Sequence, residues 1–143
     1  MVEVKRRRAG EPARLSLVPW WLFAMAVLGP LVFVHEYGHY IVGRWCGVKA
    51  DAFSIGFGRK ILGWTDKRGT RWKVAWMPLG GYVRFAGDAN AASQPDLEWM
   101  ELPDFERSQV FHAKPVWQRA TITAAGPIVN FFVGFLLLAA LLA

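Results

Sequence analysis

The sequence predicts a membrane α+β fold: two transmembrane helices linked by a small antiparallel β-sheet and a polar loop. Three observations predict it. Leu15–Val34 and Thr121–Ala143 are apolar and carry no charge, and each is long enough to cross a hydrocarbon core, which takes about 20 helical residues. Between them, short aromatic or β-branched runs alternate with turn residues, the pattern of small antiparallel strands. At the inner end of the first apolar block stands His35-Glu36-Tyr37-Gly38-His39, an H-E-x-x-H motif at helical spacing.

The chain divides into four segments on this reading: a tail (1–14), a first spanning helix (15–43), a β-hairpin region with a polar loop (44–120) and a second spanning helix (121–143). Hydrophobic residues make up 54% of the 143. That exceeds the share usual in a soluble domain, and the excess sits in the two blocks. The tail holds Lys5-Arg6-Arg7-Arg8 and Arg14 around Gly10 and Pro12, and is expected to be flexible. A net charge of +6 raises nucleic-acid binding as a possibility. The placement of the basic residues argues against it, because they flank the apolar segments, where Lys and Arg meet anionic headgroups and set orientation. The expected partner of this charge is a lipid bilayer, not nucleic acid. The single cysteine, Cys46, excludes an internal disulfide and suits a small apolar filler at a helix end.

In the first span, Trp20 and Trp21 fit an interfacial aromatic belt. A basic start, an apolar stretch and Ala24-Met25-Ala26 imitate a cleaved signal peptide. The apolar stretch nevertheless runs on into the histidine motif, so a retained span is expected. Pro30 is expected to kink that span or to start a new helical segment.

The runs Asp51–Gly58, Ile61–Trp64, Arg71–Met77 and Tyr82–Phe85 predict strands. Thr65–Thr70 forms a turn between the second and third, and Pro78 with Gly80-Gly81 separates the last two. Residues 88–114 are rich in acids and predict a surface loop, with a short amphipathic helix near Leu97–Leu102. The second span opens with Ala124-Ala125-Gly126-Pro127 and carries Asn130.

The chemistry centres on His35, Glu36 and His39. Residues i and i+4 share a helix face, so two imidazoles there can ligate one metal ion. Glu36 adjoins the first ligand and can take a proton from water that the metal has made acidic. Chance could place H-E-x-x-H on an ordinary soluble helix. At the end of an otherwise uncharged span, ionisable groups are expensive and mark function. A catalytic zinc ordinarily takes three protein ligands. His112, Asp51, Asp88 and several loop acids are available, but none stands in a second motif, and His112 reads as a loop or interfacial residue. The third ligand is expected outside this chain.

These residues resemble the site-2 protease family of intramembrane zinc metalloproteases (M50-type), and within it the bacterial regulator-of-sigma-E branch. The resemblance rests on four segments in family order: His35–His39, Phe53-Ser-Ile-Gly-Phe-Gly58, Met77-Pro-Leu-Gly-Gly-Tyr-Val-Arg84 and Ala125-Gly-Pro-Ile-Val-Asn130. It implies Zn2+ as cofactor, His35 and His39 as its ligands, and Glu36 as general base. It also implies that Gly80, Gly81 and Tyr82 belong to a membrane-reentrant hairpin able to hold substrate as an added strand. Asn130 would lie near the catalytic centre and help hold substrate, or serve as an interhelical hydrogen bond; Gly126 and Pro127 would allow close helix packing.

By the same resemblance the protein is a multi-pass protein of the bacterial inner membrane. Its substrates are membrane proteins such as anti-sigma factors or signal-peptide remnants. Its missing C-terminal half would carry a PDZ region and further spans, one with an aspartate as third zinc ligand, so this N-terminal portion would not be active alone. The family orientation puts the connecting stretch in the cytoplasm, in keeping with its 12 Lys and Arg against 5 in the tail. Two alternatives stand beside the protease. A catalytically inactive membrane-binding adaptor would have no need of Glu36. A metal-transporter fragment would have no need of the Gly-Gly-Tyr hairpin.

Overall fold

The structure is a computed structural model that describes residues 19–143; the basic tail and the first residues of the expected first span lie outside the described residues. Helix α1 (Trp20–Trp45) leads into two long strands, β1 (Ala50–Thr65) and β2 (Arg71–Phe85). A loop with two short 3-10 helices and one turn of helix, α2 (Asp104–Arg107), follows, and helix α3 (Val116–Leu142) ends the chain.

Both apolar blocks are helical, with boundaries that differ from those read in the sequence. Helix α1 continues through Pro30 and runs two residues past 43, to Trp45. Arg44 in its last turn lies 5.7 Å over the Tyr40 ring and complements the helix dipole. Cys46 caps this end and packs against the core as a small filler. Helix α3 starts at Val116, directly after Pro115, five residues before the charge-free run. Apolarity reports membrane depth rather than helicity, and a first turn holding Gln118 and Arg119 is invisible to it. Proline just at a helix start is a common opening, since its missing N–H is not needed there.

The four expected runs merge into two strands with the turn at Asp66–Thr70. Asp66 Oδ1 accepts from the N–H groups of Arg68 and Thr70, and Gly69 adopts φ 84°. β1 and β2 pair antiparallel, with Ala50 opposite Phe85 and Ile55 opposite Gly81 at one end, and Lys60 opposite Ala75 and Thr65 opposite Arg71 at the other. Ala52–Ile55 is also flanked by Arg71–Val74 on its second side, in ascending register. Each long strand therefore doubles back on itself. The breaks read in the sequence between Gly58 and Ile61 and at Pro78–Gly81 are changes of register rather than ends of strands, and the first begins already within Gly56–Gly58. Gly56 and Gly58 take φ 84° and 87° there, a region that side chains disfavour.

The core lies where the sheet meets both helices. Tyr40, Val48, Ala50, Phe53, Val83, Phe85 and Ile122 form one buried cluster. The Phe53 ring stacks on Trp72 at 4.4 Å and meets Tyr40 edge-on at 5.7 Å. The expected helix near Leu97–Leu102 is a 3-10 turn, Leu97–Glu101, capped by Asp96 accepting from the Glu98 N–H.

The polar loop is anchored from within. Asp88 is buried and accepts hydrogen bonds from the Phe85 N–H at 3.0 Å and the Ser93 hydroxyl at 3.1 Å. Its other oxygen lies 2.9 Å from His112 Nε2. Burial pushes the Asp88 carboxyl up from its usual range, while these hydrogen bonds pull it back. Replacing Asp88 by Ala strands the buried Phe85 N–H and His112, which costs about 1–3 kcal/mol. A lowered thermal unfolding midpoint in detergent is the expected result, and an unchanged midpoint would show that the loop does not depend on this residue.

Candidate functional site

His35, Glu36 and His39 project from the inner half of α1, where the helix lies between α3 and the end of β2. Their spacing brings the imidazoles together: His35 Nε2 and His39 Nε2 are 3.2 Å apart and the ring centroids 4.8 Å. Two nitrogens bound to one tetrahedral zinc at about 2.05 Å stand about 3.3 Å apart. The pair therefore fits two positions of such an ion. Among the described residues no group of three His, Cys, Asp or Glu is placed to hold a metal.

The other candidates for a third ligand are engaged elsewhere. Asp88 and His112 hold each other. Asp51 stands 3.8 Å from Lys49 on the surface.

Helix α3 holds the pair from the far side. His39 Nδ1 donates to the Ile122 carbonyl at 2.7 Å, and the Asn130 amide nitrogen lies 3.1 Å from His35 Nδ1. This close approach needs small residues. A Cβ on Gly126 would overlap His39 and come 2.9 Å from His35 Nε2, and one on Gly38 would come 2.9 Å from the Ala125 carbonyl oxygen. Gly126 and Gly38 thus let one backbone rest directly on the imidazoles and on the opposite helix, as small residues do in membrane helix pairs. Gly126, expected only to permit packing, turns out to form one wall of the histidine site.

The sheet closes the remaining side. A Cβ on Gly81 would come 2.9 Å from the Glu36 side chain and 2.8 Å from the Ser54 carbonyl oxygen. Val83, two residues on, lines the same cleft as Glu36. Tyr82 follows Gly81 along the same edge and stacks on Phe57 at 6.5 Å; Gly80 leaves room for that Phe57 ring. Glu36, His39, Gly81, Tyr82, Ser93 and Thr123 are among the residues lining a cleft of about 340 Å³.

Of the residues singled out as catalytic, ligating or substrate-holding, His35, Glu36, His39, Gly81, Tyr82 and Asn130 thus meet around one site, and Gly80 adjoins it through Phe57. The Ile122 carbonyl, Thr123 and Ser93 were not singled out. A backbone carbonyl has no signature in sequence. Pro127 lacks the N–H that would bond the Thr123 carbonyl, one residue further on, so it does not mark Ile122 either.

The model of peptidase family M50 matches residues 23–143. The chain belongs to peptidase family M50. A protein of Agrobacterium fabrum provisionally named a zinc metalloprotease is 56% identical to it over 118 residues, 80% of this chain and 31% of that protein. The metalloprotease MmpA of Caulobacter vibrioides is 50% identical, over 81% of this chain and 31% of its own length. The protease RseP of Yersinia pestis is 46% identical, over 78% of this chain and 23% of its own length. This M50 chain therefore spans about a third or less of the curated relatives it matches; all three carry protease in their names, and the Agrobacterium protein carries zinc as well.

The packing over the histidines yields a test. Gly126→Ala forces its new methyl against both imidazoles, an overpacking that costs about 1–3 kcal/mol. It is expected to lower the thermal midpoint and move the ring resonances of His35 and His39. Gly134→Ala, where nothing lies within 4 Å of the added carbon, leaves both unchanged. Equal behaviour of the two variants would refute the close approach of α3.

Proposed function

We propose that this chain forms the part of an intramembrane zinc metalloprotease of the site-2 protease type that carries two zinc ligands, His35 and His39, and the general base, Glu36. One observation carries the reading: two imidazole nitrogens converge at ligand spacing beside a carboxylate, and that carboxylate faces a cleft edged by a β-strand. The third ligand would come from the part of the relatives that this chain does not match.

A membrane setting is supported by both long helices. The apolar windows of α1 and α3 are only 6% and 11% buried, which is unlike the core helices of a soluble protein. Phe131, Leu137 and Leu141 on α3 and Phe23 on α1 are largely exposed. Hydrocarbon or further helices would cover them, with the chain in a bacterial inner membrane.

Zinc, when held there, makes water acidic and polarises a peptide carbonyl. The chain's own groups do the rest. His35 and His39 fix the site on a rigid helix. Glu36 accepts the proton of the attacking water and returns it to the leaving amine, and its position beside Val83 and Gly81 aims it into the cleft. The outer edge of Gly81–Val83 offers backbone groups to an extended peptide, the strand-addition mode of recognition. Substrates would be membrane-spanning proteins that unwind locally to reach that edge, such as anti-sigma factors or signal-peptide remnants.

Two variants test this, made in a protein of the relatives' full length that contains this segment. Glu36→Gln is expected to reduce cleavage of a membrane-spanning substrate by about 100-fold or more while zinc content holds. His35→Ala is expected to lose zinc as well as activity. Cleavage that survives Glu36→Gln rejects Glu36 as the base, and full metal loading in His35→Ala rejects the ligand assignment.

A further inference from the structure

The two imidazoles differ in how their second nitrogens are held. His39 Nδ1 can only donate to the Ile122 carbonyl, at 2.7 Å. That fixes its proton on Nδ1 and leaves Nε2 with a free lone pair, the state a metal ligand needs. His35 is in the opposite state. Its Nδ1 faces the Asn130 amide nitrogen at 3.1 Å, so Nδ1 accepts and the ring proton sits on Nε2. From there it donates to His39 Nε2 at 3.2 Å. The three hydrogen bonds form one consistent relay: Asn130 to His35, His35 to His39, His39 to Ile122.

The relay leaves one group unsatisfied. Asn130 Oδ1 is buried and has no hydrogen-bond partner among the described residues, a condition that ordinarily costs free energy. The two ends of the amide have the same shape. A half-turn of the side chain brings Oδ1 to His35 Nδ1, where it accepts from Nδ1–H and frees the Nε2 lone pair.

We infer that Asn130 is the positioning residue for His35, donating to its Nδ1 when no metal is bound and turning over to accept from it when zinc binds. The inference rests on the reading of His35 and His39 as zinc ligands. It gives Asn130 a role distinct from contact with substrate. Both roles would preserve Asn130, but only this one acts on zinc affinity with no substrate present. The proton balance is closed: His35 carries one ring proton before and after, moved from Nε2 to Nδ1 through solvent.

The test uses a protein of the relatives' full length that contains this segment, in detergent micelles, with Zn2+ alone as the probe. In the unmutated chain with 15N-labelled histidine, the ring shifts of His35 are expected to report Nε2–H before zinc and Nδ1–H after it, with His39 at Nδ1–H throughout. A His35 tautomer that is the same before and after zinc overturns the inference. Chelator competition is expected to show zinc bound more weakly by Asn130→Leu, by about tenfold or more, the low end of what loss of such a partner costs a ligating histidine. Asn130→Asp, which can only accept, is expected to bind at least as tightly as the unmutated chain. A smaller loss in Asn130→Leu, alongside clear loss in His35→Ala, overturns the role of Asn130 and leaves the ligands standing. Failure of the unmutated chain to bind zinc overturns the ligand assignment itself.

Discussion

Everything in the site depends on how closely α3 approaches α1. At Gly126 the backbone of one helix rests on the imidazoles of the other, and at Gly38 the relation is reversed. The approach lets α3 present two kinds of partner to two histidines one turn apart, a backbone carbonyl to His39 and a side-chain amide to His35. Without it the rings would be free to rotate, and a pair of nitrogens at ligand spacing would be one arrangement among many. In hydrocarbon, where apolar burial between helices contributes little, such contact comes from small residues and van der Waals fit.

The sheet adds direction to this. β1 and β2 would be a marginal hairpin alone, but they are clamped at the core end by Phe53, Tyr40 and Trp72. That anchoring sets the Gly81–Val83 edge against Glu36. The loop that follows is tied back through Asp88 to Phe85, Ser93 and His112, and Ser93 contributes to the opposite wall of the cleft. The acids that make this loop look like plain surface in sequence include one buried residue that organises it. The far part of the sheet leaves Ile61, Leu62, Trp76 and Leu79 exposed as an apolar rim.

Much of this was legible in the sequence, for identifiable reasons. The H-E-x-x-H spacing is a local rule of helix geometry, so the convergence of His35 and His39 followed from it. The turn at Asp66–Gly69 was legible because its residues have few other uses. Helix ends were less so: the start of α3 at Val116 is set by Pro115, and polar residues in its first turn hid it. The merging of four runs into two doubled strands depends on pairings between distant residues, which no local pattern encodes. The same holds for the Asp88–His112 pair, 24 residues apart. The Ile122 carbonyl leaves no trace in sequence at all. Gly126 was visible as a packing residue, but what it packs against emerged only with the fold.

The central claim is that helix contact brings these two histidines onto one metal ion. X-ray absorption at the zinc edge of a zinc-loaded protein of the relatives' full length, containing this segment, measures this directly. The account predicts two imidazole nitrogens at about 2.0–2.1 Å, reduced to one in His39→Ala. A spectrum with only oxygen neighbours, or one unaffected by that substitution, would contradict it.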